Sequence, residues 1–207
     1  IGFGFLYLPI LSLVVFSFND SALQSTWTGF SFRWYQSLLE DTNLLRAAWL
    51  SIKIAVVSAT AAVIVGTWAA YVLVRKGPFL GFPLFIGMLN APLVIPEVIL
   101  GVSILLMIIE LRSVIGFPAE NGMFTIWVGH VVLCIAYVSV VVSSRIRELD
   151  RSLEEAALDL GATPTKVFFS IVLPLIAPAM VAAWLLAFTL SMDDVVIASF
   201  LNGPGYT

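Results

Sequence analysis

Residues 54–74 read IAVVSATAAVIVGTWAAYVLV, a stretch without Asp, Glu, Lys or Arg. A helix rises about 1.5 Å per residue, so a run of this length crosses the roughly 30 Å hydrocarbon core of a bilayer. The run is too long and too continuously apolar for a β-barrel strand, which needs about ten residues of alternating polarity. This stretch therefore predicts a membrane-spanning helix.

The composition of the whole 207-residue chain agrees with this prediction. It is 60% hydrophobic and only 11% charged, and its mean hydropathy is +1.05. A soluble globule needs a charged, mixed surface that these residues cannot supply. A net charge of -3 argues against a nucleic-acid partner, which is held largely by phosphate neutralisation. We therefore expect an all-α, polytopic helical protein whose surroundings are the lipid bilayer.

Similar apolar runs predict five spans within one transmembrane domain that covers residues 1–207. They are residues 3–18, 50–74, 82–110, 123–144 and 179–201, and a polar loop at 145–178 separates the last two. The chain starts inside an apolar run and ends in a turn-forming Asn-Gly-Pro-Gly segment at 202–205. We therefore expect that the N-terminus and the last span of the domain are missing.

Lys and Arg in short loops set the orientation, since cytoplasmic loops carry more of them. Six of these cations fall in residues 75–81 and 145–178, whereas four fall in or near residues 20–46 and 111–122. The bias predicts that the first pair of loops is cytoplasmic and the second pair lies outside.

The polar loop at 145–178 carries a helical pattern. Apolar residues at 149, 153, 156, 157 and 160 share one helix face. Gly161 then ends this helix, and Thr163-Pro164 starts the next. The pattern predicts a compact knob of two short helices that meet at a glycine bend, with Pro174 and Pro178 dividing it from a span that starts near Ala179.

A longer motif runs through this loop. Seven positions follow the spacing E-A-A-x3-G-x9-I-x-L-P, namely Glu155, Ala156, Ala157, Gly161, Ile171, Leu173 and Pro174. The motif resembles the EAA loop of permease subunits of bacterial ABC importers. An ordinary amphipathic surface helix would explain the periodicity but not the whole spacing.

Three further stretches, residues 91–97, 143–150 and 188–200, resemble those of the spermidine/putrescine group of these permeases, and the chain is most similar to the putrescine type. The resemblance implies a type I ABC importer transmembrane-domain fold with cytoplasmic coupling helices, in the bacterial inner membrane. It implies polyamine substrates, putrescine with spermidine second. The implied partners are an ABC ATPase dimer on the EAA loop, a second homologous permease and a periplasmic polyamine-binding protein.

The chain itself is not expected to be an enzyme or to carry a cofactor. A phosphate-binding loop needs the pattern G-x-x-x-x-G-K-[S/T], and residues 161–166 lack its second glycine. The single cysteine, Cys134, excludes intrachain disulfides and cysteine metal clusters, and it is best explained as a small buried residue. Energy for transport would then come from a partner that hydrolyses ATP, with Glu155 as the coupling residue.

Carboxylates inside apolar segments mark candidate substrate-pathway positions because they are costly in lipid. Glu97 lies roughly 20 Å before the outer end of its predicted span. The alternative is a salt bridge to another helix, for which the predicted spans offer no cation except Lys53, near a membrane surface. Asp193 and Asp194 point about 100° apart on a helix, so one can face a pore while the other packs or caps a break. Solvation of both at the interface is the alternative, and a dicationic amine would suit the acidic path.

Aromatic rings and one histidine would complete such a path. Tyr137 and Trp184 lie in mid-span, where a ring face attracts an ammonium by about 0.5–2 kcal/mol, and they rank above Trp127 at a span end. His130 is either a group facing substrate or a tie between two helices. The competing functions are an ion-gradient-driven carrier of an organic cation, which would use Glu97 and the Asp pair as a relay, and a membrane enzyme, for which no catalytic motif is found.

Overall fold

The computed structural model describes residues 2–21 and 26–203, and every regular element in these ranges is a helix. The chain divides into two compact units, residues 1–50 and residues 51–207. The all-α prediction is confirmed. Residues 204 and 205 of the predicted turn-forming segment lie outside the described residues.

The first unit contains helix α1 (Gly2–Phe16), helix α2 (Arg33–Glu40) and the start of helix α3 (Thr42–Tyr71). The loop between α1 and α2 is organised by the buried Asn19, whose amide nitrogen donates to the Thr26 carbonyl at 2.7 Å. Its amide oxygen accepts from the Thr28 backbone N–H at 2.9 Å, and its carbonyl accepts from the Trp34 indole at 3.0 Å. One polar side chain thus ties together the described parts of this loop.

The second unit is built around helix α6 (Met123–Glu148), which packs against α4, α9 and α10. The other elements of this unit are the π-helical turn Val72–Lys76 at the end of α3, α4 (Phe82–Val94), α5 (Glu97–Ile115), α7 (Ser152–Asp159), α8 (Pro164–Val167), the π-helical turn Phe168–Val172, α9 (Leu173–Asp193) and α10 (Val196–Leu201).

The core of this unit lies between α3, α6 and α9. Val138, Val142 and Ile146 of α6 are fully buried, as are Ile176 and Ala187 on the facing element. Small residues let these helices approach closely, as is common between membrane helices. At Gly66 of α3, an added Cβ would come within 2.7 Å of the Val138 side chain, so only glycine fits the contact.

Proline breaks the segment that was predicted to be one span at 82–110. The structure has α4 and α5 instead, with Ile95 extended (ψ 131°) and Pro96 directly before the first residue of α5. A residue that precedes proline is pushed out of the helical conformation, which explains the break. The single span predicted at 82–110 is therefore two helices.

The predicted boundary near Ala179 is wrong, because one helical run extends from Pro164 to Asp193. The second helix of the predicted knob is therefore the beginning of this run and not a short helix. Pro174 lies in the first turn of α9, directly after a π-helical turn that already shifts the hydrogen-bonding register. Pro178 is accommodated within α9, as prolines are in apolar helices whose neighbours satisfy the freed carbonyl.

Four helical runs of the described residues are long and apolar enough to cross a membrane. They are Thr42–Lys76, Glu97–Ile115, Met123–Glu148 and Pro164–Asp193. Two shorter apolar helices, Gly4–Phe16 and Phe82–Val94, fall on the predicted spans 3–18 and 82–110. The number of crossings in the whole domain stays a prediction.

Candidate coupling loop and substrate pathway

The loop that carries the EAA-like motif forms one exposed helix and a glycine bend. Helix α7 has no buried residue, and Gly161 comes after it with φ at +85°. The Ala162 N–H donates to the Ala157 carbonyl at 3.0 Å, and the Gly161 N–H donates to the Leu158 carbonyl at 2.8 Å. This pair of bonds is the Schellman helix ending that glycine favours, so the predicted bend at Gly161 is confirmed.

Side-chain hydrogen bonds mark the starts of the two helices in this loop. Asp150 accepts the Ser152 N–H at 2.9 Å, and hydrogen bonds from the backbone and side chain of Ser152 hold the pKa of Asp150 below its usual value. Thr163 caps the next helix with Pro164 in its first turn. The predicted start at Thr163-Pro164 is therefore confirmed.

The seven motif residues separate into two groups. Glu155, Ala156 and Gly161 are exposed, and Ala157 is half-buried beside them. Leu160, between them, is 90% exposed. The remaining three lie on the next helical run: half-buried Ile171 in the π-helical turn, and half-buried Leu173 with exposed Pro174 at the start of α9.

A set of charged contacts holds this loop against the end of α3. Arg75 Nε lies 2.7 Å from Glu154 Oε1, with both side chains largely buried. Sequence reasoning missed this pair, treating Arg75 only as an orientation signal. The adjacency of Glu154 to the motif was the one available hint.

The two carboxylates of the aspartate pair have different surroundings. Asp193 is exposed and lines a shallow depression of about 390 Å³ together with Thr189, Leu190 and Met192. The Asp194 side chain is 3% exposed, and its Oδ1 accepts the Ile197 N–H at 2.9 Å at the start of α10. Asp194 therefore caps the break between α9 and α10, while Asp193 faces outward.

His130 joins helix α6 to this break. Its Nδ1 lies 2.6 Å from Ser191 Oγ, within hydrogen-bond distance, and its Nε2 lies 3.5 Å from Asp194 Oδ2. The ring is buried, so the helix tie that the sequence left open as an alternative is observed. Its role toward substrate stays a prediction.

Glu97 is not joined by a hydrogen bond or an ion pair to these groups in the part of the chain that the structure describes. It is exposed at the first residue of α5. Because α5 has 19 residues, Glu97 lies roughly 27 Å from the far end of that helix, and not the roughly 20 Å expected from sequence. Its carboxylate sits where the helix dipole favours negative charge.

The aromatic candidates are half-buried. The Trp184 indole donates to Thr60 Oγ1 at 3.1 Å, and its ring stacks on Phe188 at 5.5 Å between centroids. Tyr137 is half-buried on α6. Trp127 packs beside Phe124 at 5.7 Å, at the opposite end of α6 from the EAA-like loop.

Together these features define a polytopic helical membrane protein with a structured polar loop between two apolar helices. Residues 62–207 match the family described as binding-protein-dependent transport system inner membrane component. The chain belongs to this family, and it is an inner membrane protein. Membership in a binding-protein-dependent family does not favour the ion-gradient-driven alternative.

Two relatives cover almost the whole chain. The putrescine transport system permease protein PotI of Escherichia coli (strain K12) is 59% identical over 207 residues, which are 100% of this chain and 74% of the relative. The spermidine/putrescine transport system permease protein PotC of the same organism is 40% identical over 204 residues, 99% of this chain and 75% of the relative. The resemblance to polyamine-transport permeases is therefore confirmed.

The fold is also similar to that of a solved structure, an inward-facing MetNI methionine ABC transporter. The TM-score is 0.63 at 21% sequence identity, with 77% of this chain and 74% of that chain covered. The likeness supports the expected ABC importer transmembrane-domain fold.

Proposed function

We propose that this chain is a permease subunit of an ABC importer that moves polyamines, putrescine foremost, across the bacterial inner membrane. The observation that carries the proposal is the exposed helix α7 with its EAA spacing, in a chain that is 59% identical to a putrescine transport permease. The subunit hydrolyses nothing itself, and ATP hydrolysis takes place on a separate partner.

Within the loop at 145–178, the exposed residues Glu155, Ala156, Leu160 and Gly161 form the proposed docking surface for an ABC ATPase dimer on the cytoplasmic side. Ala156 and Gly161 are small enough to seat in a cleft of the partner, and Glu155 at the edge offers a carboxylate to a basic or polar group there. Leu160 adds an apolar contact that is otherwise open to water. An exposed helix with a mixed apolar and acidic face supports docking better than a purely structural role.

The proposed pathway is acidic. Asp193 is the carboxylate of the pair that solvent reaches, and Glu97 is exposed on a second helix. Two separated carboxylates suit an extended dication, since each ammonium gains a charge-assisted contact. Tyr137, Trp184 and His130 are the proposed neighbouring positions along this path.

The remaining partners are those expected for this class of importer. A second homologous permease would complete the pathway at the interface between the two subunits. A periplasmic polyamine-binding protein would deliver substrate. Closure of the ATPase dimer would move the two docked loops together and switch the cavity between inward and outward access.

The test begins with co-purification of the importer from membranes with its ATPase subunit. Glu155→Lys reverses the charge at the edge of the proposed docking surface, so we expect ATPase content and putrescine uptake to fall about tenfold. Glu148→Lys is the matched control, because Glu148 is an exposed carboxylate that contacts Arg145 of its own helix. Normal ATPase content and normal uptake in Glu155→Lys would refute docking through this surface.

A further inference from the structure

Three charged side chains connect the end of α3 to the polar loop, and each of these two segments donates a hydrogen bond to a carbonyl of the other. Arg75, in the π-helical turn that ends α3, donates from Nη2 to the Leu149 carbonyl at 3.2 Å and pairs through Nε with Glu154 of α7 at 2.7 Å. In return, Arg151 of the loop donates from Nη2 to the Val74 carbonyl at 3.1 Å. We call Arg75, Arg151 and Glu154, with the carbonyls of Val74 and Leu149, the α3–α7 clamp.

The clamp satisfies groups that helix ends otherwise leave open. Leu149 comes directly after the last residue of α6, and Val74 lies in the last turn of the α3 run, so both carbonyls belong to helix C-termini. The side chains of Arg75 and Glu154 are only 10% and 14% exposed. Because an ion pair so sheltered from water loses its compensation when one partner is removed, breaking it costs far more than breaking a surface pair.

The helical runs next to the clamp are each interrupted by a π-helical turn. The run after α3 and the run after α8 each contain a π-helical turn, Val72–Lys76 and Phe168–Val172. Phe168 of the second turn stacks on Trp68 at 4.6 Å and meets Tyr71 edge-on at 4.9 Å. Turns of this kind occur often at functional sites, and here they bring α3 and the α8–α9 run into direct contact beneath the loop.

We propose that the α3–α7 clamp makes α3 part of the coupling route, so that displacement of the docked loop is passed to α3 as well as to α6 and α9. The covalent chain already joins the loop to α6 and to α8. The clamp and the Phe168 stack tie it to α3, which also carries Thr60 and its contact with Trp184. Arg75 and Glu154 are positioning residues: they act on the pathway through α3. The inference rests on the proposed function.

The test uses the reconstituted importer with its ATPase, its partner permease and its binding protein loaded with putrescine. Arg75→Glu and Glu154→Arg each place like charges in a sheltered pair. We expect either variant to lower putrescine uptake and the stimulation of ATP hydrolysis by the binding protein about tenfold. ATPase content and basal hydrolysis should stay within about twofold of the unmodified importer, because the exposed docking surface is unchanged.

The double variant Arg75→Glu with Glu154→Arg restores the ion pair in the opposite sense. We expect it to recover uptake to within about threefold of the unmodified importer, because the bond from residue 75 to the Leu149 carbonyl is not restored. Lys76→Glu is the matched control. It makes the same charge change one residue away, at an exposed side chain whose ammonium lies 5.5 Å from the Phe79 ring.

Each outcome decides between the clamp and simpler explanations. Full uptake in Arg75→Glu, equal to that in Lys76→Glu, would overturn the proposal. Loss of the ATPase subunit from either single variant would also overturn it, since the pair would then serve only to shape the docking surface. If a variant is absent from the membrane, Arg75→Lys keeps the charge but not the two-sided contact, and unchanged stimulation in it would overturn the proposal. Failure of the proposed function is distinct, since the unmodified chain would then carry no ATPase.

Discussion

The helical run Pro164–Asp193 begins and ends at two breaks of opposite character. At the first, Gly161 is exposed, and two backbone hydrogen bonds close the turn that it makes. At the second, the buried Asp194 caps α10 and lies beside the buried His130. Both breaks redirect the chain, but the first uses glycine and the second uses a side-chain network.

The difference shows that a break between helices can serve two purposes. An exposed break made by backbone conformation leaves its side chains free for a partner, as at Glu155 and Leu160. A break made by buried polar groups fixes the orientation of the next helix, so that Asp193 points outward while Asp194 points inward. Changes at the first break should therefore affect association with the ATPase. Changes at the second break should affect the geometry of the proposed substrate pathway.

The largest effect is expected at the exposed break. Proline cannot adopt the φ of +85° found at Gly161, and it removes the N–H that bonds to Leu158. Gly161→Pro should cost the local turn about 3 kcal/mol or more, and ATPase association and putrescine uptake should be lost in co-purification and uptake assays.

Gly161→Asn is the control at the same position. A Cβ there meets open space, and asparagine tolerates the left-handed conformation, so most uptake should be retained. Equal loss in both variants would mean that the absence of a side chain, and not the backbone angle, is what the site requires.

A smaller effect separates the two members of the aspartate pair. Asp194→Ala removes the acceptor for the Ile197 N–H and leaves His130 facing an empty position, so thermal stability in detergent should fall by about 1–2 kcal/mol. Asp193→Ala removes an exposed carboxylate, so stability should hold while putrescine uptake falls about threefold. If the two variants behaved alike, the buried-against-exposed contrast would have no functional meaning.

The smallest effect is expected for the hydrogen bond between Trp184 and Thr60. Trp184→Phe keeps an aromatic ring beside Phe188 but removes the indole donor, and Thr60→Val removes the acceptor. Each should lower stability by about 0.5–1 kcal/mol, and the double variant should cost no more than either single one. Additive losses in a thermal-denaturation cycle would show that the two groups act independently.

Local chemistry made several of these features predictable from sequence. Uninterrupted apolar runs gave the helices around 54–74 and 123–144, and Gly161 and Pro164 gave the bend of the loop, because each acts within a few residues of itself. The break at Pro96 is just as local, although residues 82–110 were predicted to be one span. Pro174 and Pro178 led to a wrong boundary, because they were expected to end the helix. The π-helical turn before them shifts the hydrogen-bonding register so that the helix continues, and sequence alone does not reveal such a turn.

Contacts between residues far apart in the sequence could not be predicted in this way. Arg75 and Glu154 each look like ordinary loop charges, and only the packing of α3 beside α7 turns them into a sheltered pair. The role of His130 was ambiguous because a single imidazole in an apolar run indicates that a polar partner exists but does not identify that partner. Ser191 and Asp194 were identified as that partner only when α6 and α9 were seen side by side.

The His130–Ser191 contact also bears on how the protein is made. The two residues are 61 positions apart, so the ribosome completes α6 and the whole polar loop before Ser191 exists. During that interval the imidazole has no partner on its own helix, and lipid offers none. His130 therefore gains its contacts with Ser191 and Asp194 only after the far end of α9 has been inserted beside α6.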